Sequence, residues 1–194
     1  MVSERSRHAG VGAALALAAL LATGCGDDDP LSYSAPVGIN LKAKSGDVKS
    51  GSITDEKGIT TESGNPYGAF VRDARARLGA DPARIDLGSI QLLLGGSSKG
   101  VTALDEVFSG QVEVLFVMDE TKNSHPAGSF TNPSGGGAVD GLASFDSAGL
   151  NAVDWTKLLA GSFKVTLRGP AAASFATKSA DADLQVTLVF RAFQ

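Results

Sequence analysis

Asp183-Leu184-Gln185-Val186-Thr187-Leu188-Val189-Phe190-Arg191-Ala192 decides the fold. Leu184, Val186, Leu188, Phe190 and Ala192 alternate with Gln185, Thr187, Val189 and Arg191, the period of two that defines a half-buried β-strand. The same alternation recurs upstream in Val37, Ile39, Leu41 and Ala43, in Val112, Val114, Phe116 and Met118, and in Phe163, Val165 and Leu167. Between Ile85 and Leu94 the apolar parity changes from Ile85 and Leu87 to Ile90, Leu92 and Leu94, with Gly88 at the change. One extra residue at a glycine predicts a β-bulge. Shorter strand candidates are residues 48–54, 57–62, 127–131 and 138–145, separated by Gly, Ser, Asn and Pro. The expectation is a mainly β chain, an antiparallel β-sandwich of about seven to nine strands.

Helical signals are fewer. Asn65 before Pro66 reads as an N-cap with proline at the first helical position; Tyr67, Phe70, Val71, Ala74 and Leu78 share a face and Gly79 ends it. The pattern predicts one amphipathic helix over 66–78. An internal echo predicts one or two short helical crossovers. Thr102-Ala103-Leu104-Asp105 leads through Ser109-Gly110 into a strand at Val112, and Asn151-Ala152-Val153-Asp154 leads through Ala160-Gly161 into a strand at Phe163. In each copy a capping Thr or Asn precedes a short turn, a glycine stop and a strand. The aspartates at the matched positions, Asp105 and Asp154, are expected to stabilise the first turns.

Composition narrows function before any motif does. The chain has 17 Lys and Arg against 21 Asp and Glu, for a formal charge of −4 over 194 residues. No basic field exists to draw nucleic acid by counterion release. The single cysteine forms neither an intramolecular disulfide nor a cysteine-rich metal site.

That cysteine closes a distinctive N-terminus. Arg5 and Arg7 lie in a polar start, Ala9–Ala22 is an unbroken run of Ala, Gly, Val and Leu, and Thr23-Gly24-Cys25 follows. Charged, apolar and small-residue segments in that order make a secretory signal peptide, and the run falls short of the roughly 20 residues of a spanning helix. The stretch Leu21-Ala22-Thr23-Gly24-Cys25 resembles the lipobox of bacterial lipoproteins, with Ala22 where that family most often has Leu. The resemblance implies lipid attachment at Cys25, which becomes the new N-terminus, and a membrane partner through that lipid. The expected organisation is a signal peptide at 1–24, a lipidated cysteine with an acidic flexible tether at 25–35, and a single β-domain at 36–194. Asp27, Asp28 and Asp29 give the tether its charge, and the processed chain carries −5. The localisation so implied is the cell envelope, with the outer membrane or cell surface favoured over the inner membrane.

Catalytic signatures are sparse in the rest of the chain. After processing, His125 is the one imidazole left; it precedes Pro126 after a turn-rich stretch and reads as a surface loop residue. No S-x-x-K motif occurs. Gly95-Gly96-Ser97-Ser98-Lys99-Gly100 has phosphate-friendly composition, but its lysine precedes the last glycine, so the P-loop pattern fails and a flexible loop is expected. No cofactor is expected, and no catalytic residue is assigned. Asp181 and Asp183, two apart on one strand face, are the candidate cation ligands, with Asp105 or Asp154 as possible companions. Arg72, Arg75 and Arg77 on the helix are candidates for an anionic partner, and Trp155 for a carbohydrate platform; a solvated helix face and packing on the sheet are the alternatives. Two readings of different class follow. One is a lipid-anchored, non-catalytic binding or structural module with an envelope protein or polysaccharide partner. The other is an envelope-anchored hydrolase using paired carboxylates. A transmembrane barrel ranks third, on the resemblance of the Phe193 ending to a porin-like last strand.

Overall fold

In the computed structural model, which describes residues 31–194, the alternating segments pair into one antiparallel sheet of eight strands. The strands are β1 (Ser32–Lys44), β2 (Ser52–Ile59), β3 (Arg84–Leu94), β4 (Val112–Met118), β5 (Ser124–Phe130), β6 (Val139–Ala143), β7 (Phe163–Pro170) and β8 (Asp181–Phe193), in the order β1-β8-β3-β6-β5-β4-β7-β2. The sheet curls until its edge strands β1 and β2 face each other, where the Lys42 N–H donates to the Asp55 carboxylate at 2.7 Å. The result is a nearly closed, barrel-like form of the expected mainly β fold.

The seam between β1 and β2 carries the chemistry of protected edges. Lys42 N–H points away from β8, so Pro36, of the same parity, also turns its nitrogen to the seam, where no N–H is required. On β2, Asp55 and Lys57 occupy the parity of the buried Ile53 and Ile59, and inward-pointing charge discourages edge pairing. These same residues explain why the sequence splits the strand into 48–54 and 57–62. Hydrophobic alternation fails where the partner strand is missing, and residues 48–51 instead form a tight turn with Ser50 and Gly51 at positive φ.

The expected bulge is present, with the β3–β8 register shifting between Leu87 and Ser89. A side chain at Gly88 would collide with the Arg191 guanidinium, which crosses the strand there. β1 begins at Ser32, inside the segment expected to be tether, because Tyr33 and Ala35 continue the inward parity and Tyr33 stacks on Phe70 at 6.0 Å.

Among the described residues three α-helices connect the strands: α1 (Pro66–Leu78), α2 (Ala152–Ala160) and α3 (Ala173–Thr177). α1 has the expected bounds, with Asn65 accepting from the Tyr67 N–H and Gly79 in the left-handed conformation. Its Tyr67 and Phe70 project among Phe190, Phe163 and Phe116 from strands on opposite sides, with ring centroids 5.1–5.8 Å apart. The interior is therefore a packed aromatic core, not a ligand-holding calyx. Tyr67 is fully buried and donates its hydroxyl to the Leu158 carbonyl at 2.9 Å, which ties α1 to α2; burial pushes its phenol far above the ordinary range.

Strand directions divide the connections between two ends. The end where β1 starts, here proximal, holds α1, α2, the β4–β5 hairpin and residues 144–151, while the distal end holds the β1–β2, β3–β4, β5–β6 and β7–β8 connections. The echo spans both. Its copies feed β4 from the distal end and β7 from the proximal end, and the register pairs Leu115 with Thr166, equivalent positions of the two copies. A local two-fold thus passes between neighbouring antiparallel strands.

Candidate functional site

A polar constellation around one buried carboxylate lies at the proximal end. Asp154, third residue of α2, has a fully buried side chain. Its oxygens accept from Thr121 Oγ1 (2.7 Å), Asn123 Nδ2 (2.8 Å), Asn151 Nδ2 (3.0 Å) and approach His125 Nε2 (2.9 Å). The β4–β5 hairpin supplies three of these groups, because Glu120 and Lys122 at positive φ fold it tightly against the start of α2. Burial is the largest influence on the carboxyl and raises its pKa. Hydrogen bonds from Thr121, Asn123 and His125, with the charge on His125, together hold it below the usual value. Asp154 sits in the first turn as expected, but its principal role is to clamp the hairpin onto α2.

His125 departs from the loop expectation. It lies in β5 with 24% of its side chain exposed and is held by Asp154. Sequence reasoning missed this pair because the residues are 29 apart and the proline after His125 suggests a loop. A β-bulge accommodates Pro126, as the register shift between Val114 and Leu115 shows. Asp105 occupies the matched slot at the distal end, in a short 3-10 turn at Leu104–Glu106, and accepts from Gly135 N–H at 2.9 Å while exposed. Thr102 does not cap this turn; its own N–H donates to the Glu106 carboxylate at 2.6 Å. Gly110 is not left-handed either, and its small size instead admits Pro170.

Asp181 and Asp183 meet lysines, not other acids. The β1–β8 register sets Lys44 opposite Asp181 and Lys42 opposite Asp183, and Lys99 bridges the far side of Asp181. Ser97 Oγ donates to Asp183 at 2.6 Å. These side chains line a groove of about 340 Å³ on the outer face at the distal end. Asp105 and Asp154 do not join them, and among the described residues no three His, Cys, Asp or Glu are grouped to hold a metal ion. The glycine-serine-lysine stretch is an ordered turn, with Ser98 N–H on the Gly95 carbonyl and Gly95 N–H on the Asp183 carbonyl.

The remaining candidates separate. Arg72 pairs with Asp73 and Arg75 with Asp81, while exposed Arg77 makes no ion pair among the described residues. Trp155 is half-buried and packs against the core, so it offers no open platform. Asp86 and Asp146 are neighbours, opposite each other in an isolated antiparallel bridge. Burial first and Asp146 second raise the Asp86 carboxyl, against the charges of Arg84 and Arg191. Ion pairs between Lys164 and Glu56 and between Arg168 and Glu113 stand on the outer face, where a lipid-facing barrel requires an apolar band; the transmembrane-barrel reading fails. Among the described residues no helix is long and apolar enough to cross a membrane. Cys25 lies outside the described residues. No family model matches the chain, and no curated protein matches it.

Proposed function

We propose that this chain is an exported lipoprotein, held in the cell envelope by lipid on Cys25, whose β-domain is a non-catalytic binding or structural module for another envelope component. The observation that carries this reading is the sequence order Arg5 and Arg7, Ala9–Ala22, and Leu21-Ala22-Thr23-Gly24-Cys25. Two acyl chains on one residue anchor a protein stably, since each buried CH₂ contributes about 0.8 kcal/mol. With β1 starting at Ser32, the stretch of chain between Cys25 and the sheet spans at most about 20 Å. The proximal end, with α1 and α2, then faces the bilayer and the distal end faces outward. A packed aromatic interior suits a module that binds through its surface. The test is Cys25→Ala in the full chain: mass spectrometry shows loss of the acyl mass and fractionation moves the protein out of the membrane. Retention of the variant in the membrane with unchanged mass overturns the anchor.

A further inference from the structure

We infer that the distal groove between the Gly95–Gly100 turn and the β1–β8 pair is a phosphoanion-binding site. The inference rests on the reading of this domain as a binding module and is independent of the lipid anchor. Three lysines line the groove, Lys42, Lys44 and Lys99, all of them exposed. None lies within 4 Å of a carboxylate among the described residues, although Asp181 and Asp183 are their neighbours in the register. Lysines this close to acids yet unpaired leave three positive charges around the groove that no carboxylate neutralises by direct contact.

The turn beside them adds directional donors. Ser98 N–H closes the turn on the Gly95 carbonyl, and the N–H groups of Gly96 and Ser97 between them have no acceptor among the described residues. Successive free backbone N–H groups in a turn make a small anion-binding concavity, and lysine supplies point charge to phosphate. Gly95 is required here because a side chain would strike the Asp183 carboxylate, so the turn sits tight against β8. The two aspartates temper the field without cancelling it. One Asp183 oxygen is occupied by the Ser97 hydroxyl, and three cations outweigh two anions. A volume of about 340 Å³ holds a phosphate group with its ester substituent or a pyrophosphate. On this assignment the stretch is phosphate-friendly after all, through turn N–H groups and cross-strand lysines instead of a P-loop.

The test uses the full chain in detergent, titrated with inorganic pyrophosphate and followed by calorimetry and by amide NMR. Pyrophosphate should bind with millimolar or better affinity, shift the Gly96, Ser97 and Lys99 amides, and weaken as salt is raised. Replacing Lys42, Lys44 and Lys99 together with Gln should weaken it by about tenfold or more, about 1.4 kcal/mol, with the fold checked by circular dichroism. Asp181→Asn should strengthen it about threefold by removing a repelling charge. Vesicles of phosphatidylglycerol, presented to the Cys25→Ala chain, separate a lipid headgroup from a free phosphate as the source: binding to either through the same lysines supports the site. No pyrophosphate binding up to about 10 mM, or binding that the triple substitution leaves unchanged, overturns it. Calcium binding lost in Asp181→Asn overturns it in favour of a cation site. Failure of the Cys25→Ala test refutes the anchor while leaving this result untouched.

Discussion

Asp154 and Asp105 hold the same slot in two copies of one local sequence, and their surroundings differ almost completely. At the proximal end the carboxylate is sealed beneath a tight hairpin that contributes a hydroxyl, an amide and an imidazole. At the distal end the neighbouring connection is the glycine-rich stretch 131–138, which offers Asp105 one backbone N–H, and the carboxylate stays in water. Helix length follows the same division: Asn151 caps nine residues of α2, whereas the turn after Thr102 stops at three. The difference teaches that a shared local motif sets the direction of the chain into its strand, while the facing hairpin decides whether its acid becomes a structural clamp.

The sharpest break of this comparison is Asp154→Ala. Four donors converge on that fully buried carboxylate, and removing it should cost on the order of 3 kcal/mol in urea unfolding. Asp105→Ala should leave the midpoint almost where it was. Equal losses would mean that the two ends are energetically alike. Next comes Gly161→Ala. Gly161 sits at φ 64° with its added Cβ 2.9 Å from the Thr60 carbonyl carbon, so a loss of about 1–2 kcal/mol is expected. Gly110→Ala, without the φ constraint and facing a proline ring edge, should lose less. Asn151→Ala removes a cap and should cost about 1 kcal/mol, while Thr102→Ala, which loses no cap, should cost a fraction of that.

The pH dependence sharpens the contrast in sign. Asp154 is depressed in the folded state, so its stabilisation is fully present above the unfolded value of about 3.9 and disappears as pH falls through the lower folded value. Asp86 is raised and acts oppositely, since protonating it as pH falls toward the unfolded value favours the folded state. In acid titrations of thermal stability, Asp154→Asn should flatten the loss at low pH and Asp86→Asn should steepen it. The same sign from both would refute the assignment.

Much of this architecture was legible because it rests on short-range patterns. Parity over Ile85–Leu94 located the Gly88 bulge, and Asn65, Pro66 and Gly79 bounded α1, because caps and pleats act within a few residues. β2 was split where its polar inward residues face an open seam, a property of neighbours across the sheet. The candidate sites were hidden for a related reason. Nothing near Asp181 announces Lys44, because their meeting depends on the first strand pairing with the last. His125 and Asp154 meet only once hairpin and α2 have packed. The available signal was the polar run Thr121, Asn123 and His125 opposite an aspartate in a repeated slot.

The pairing of first and last strands also governs how the protein bears force. β1 and β8 lie side by side in register from Ser32 with Phe193 to Lys44 with Asp181, and Gln194 N–H reaches the Leu31 carbonyl at 3.0 Å. A pull on the chain before Leu31, directed away from the domain, runs along β1, while the bonds holding it to β8 lie across that direction. Those bonds are loaded together in shear instead of being peeled one at a time. β1 is thus a mechanical clamp, with Gln194 hydrogen-bonded beside its start.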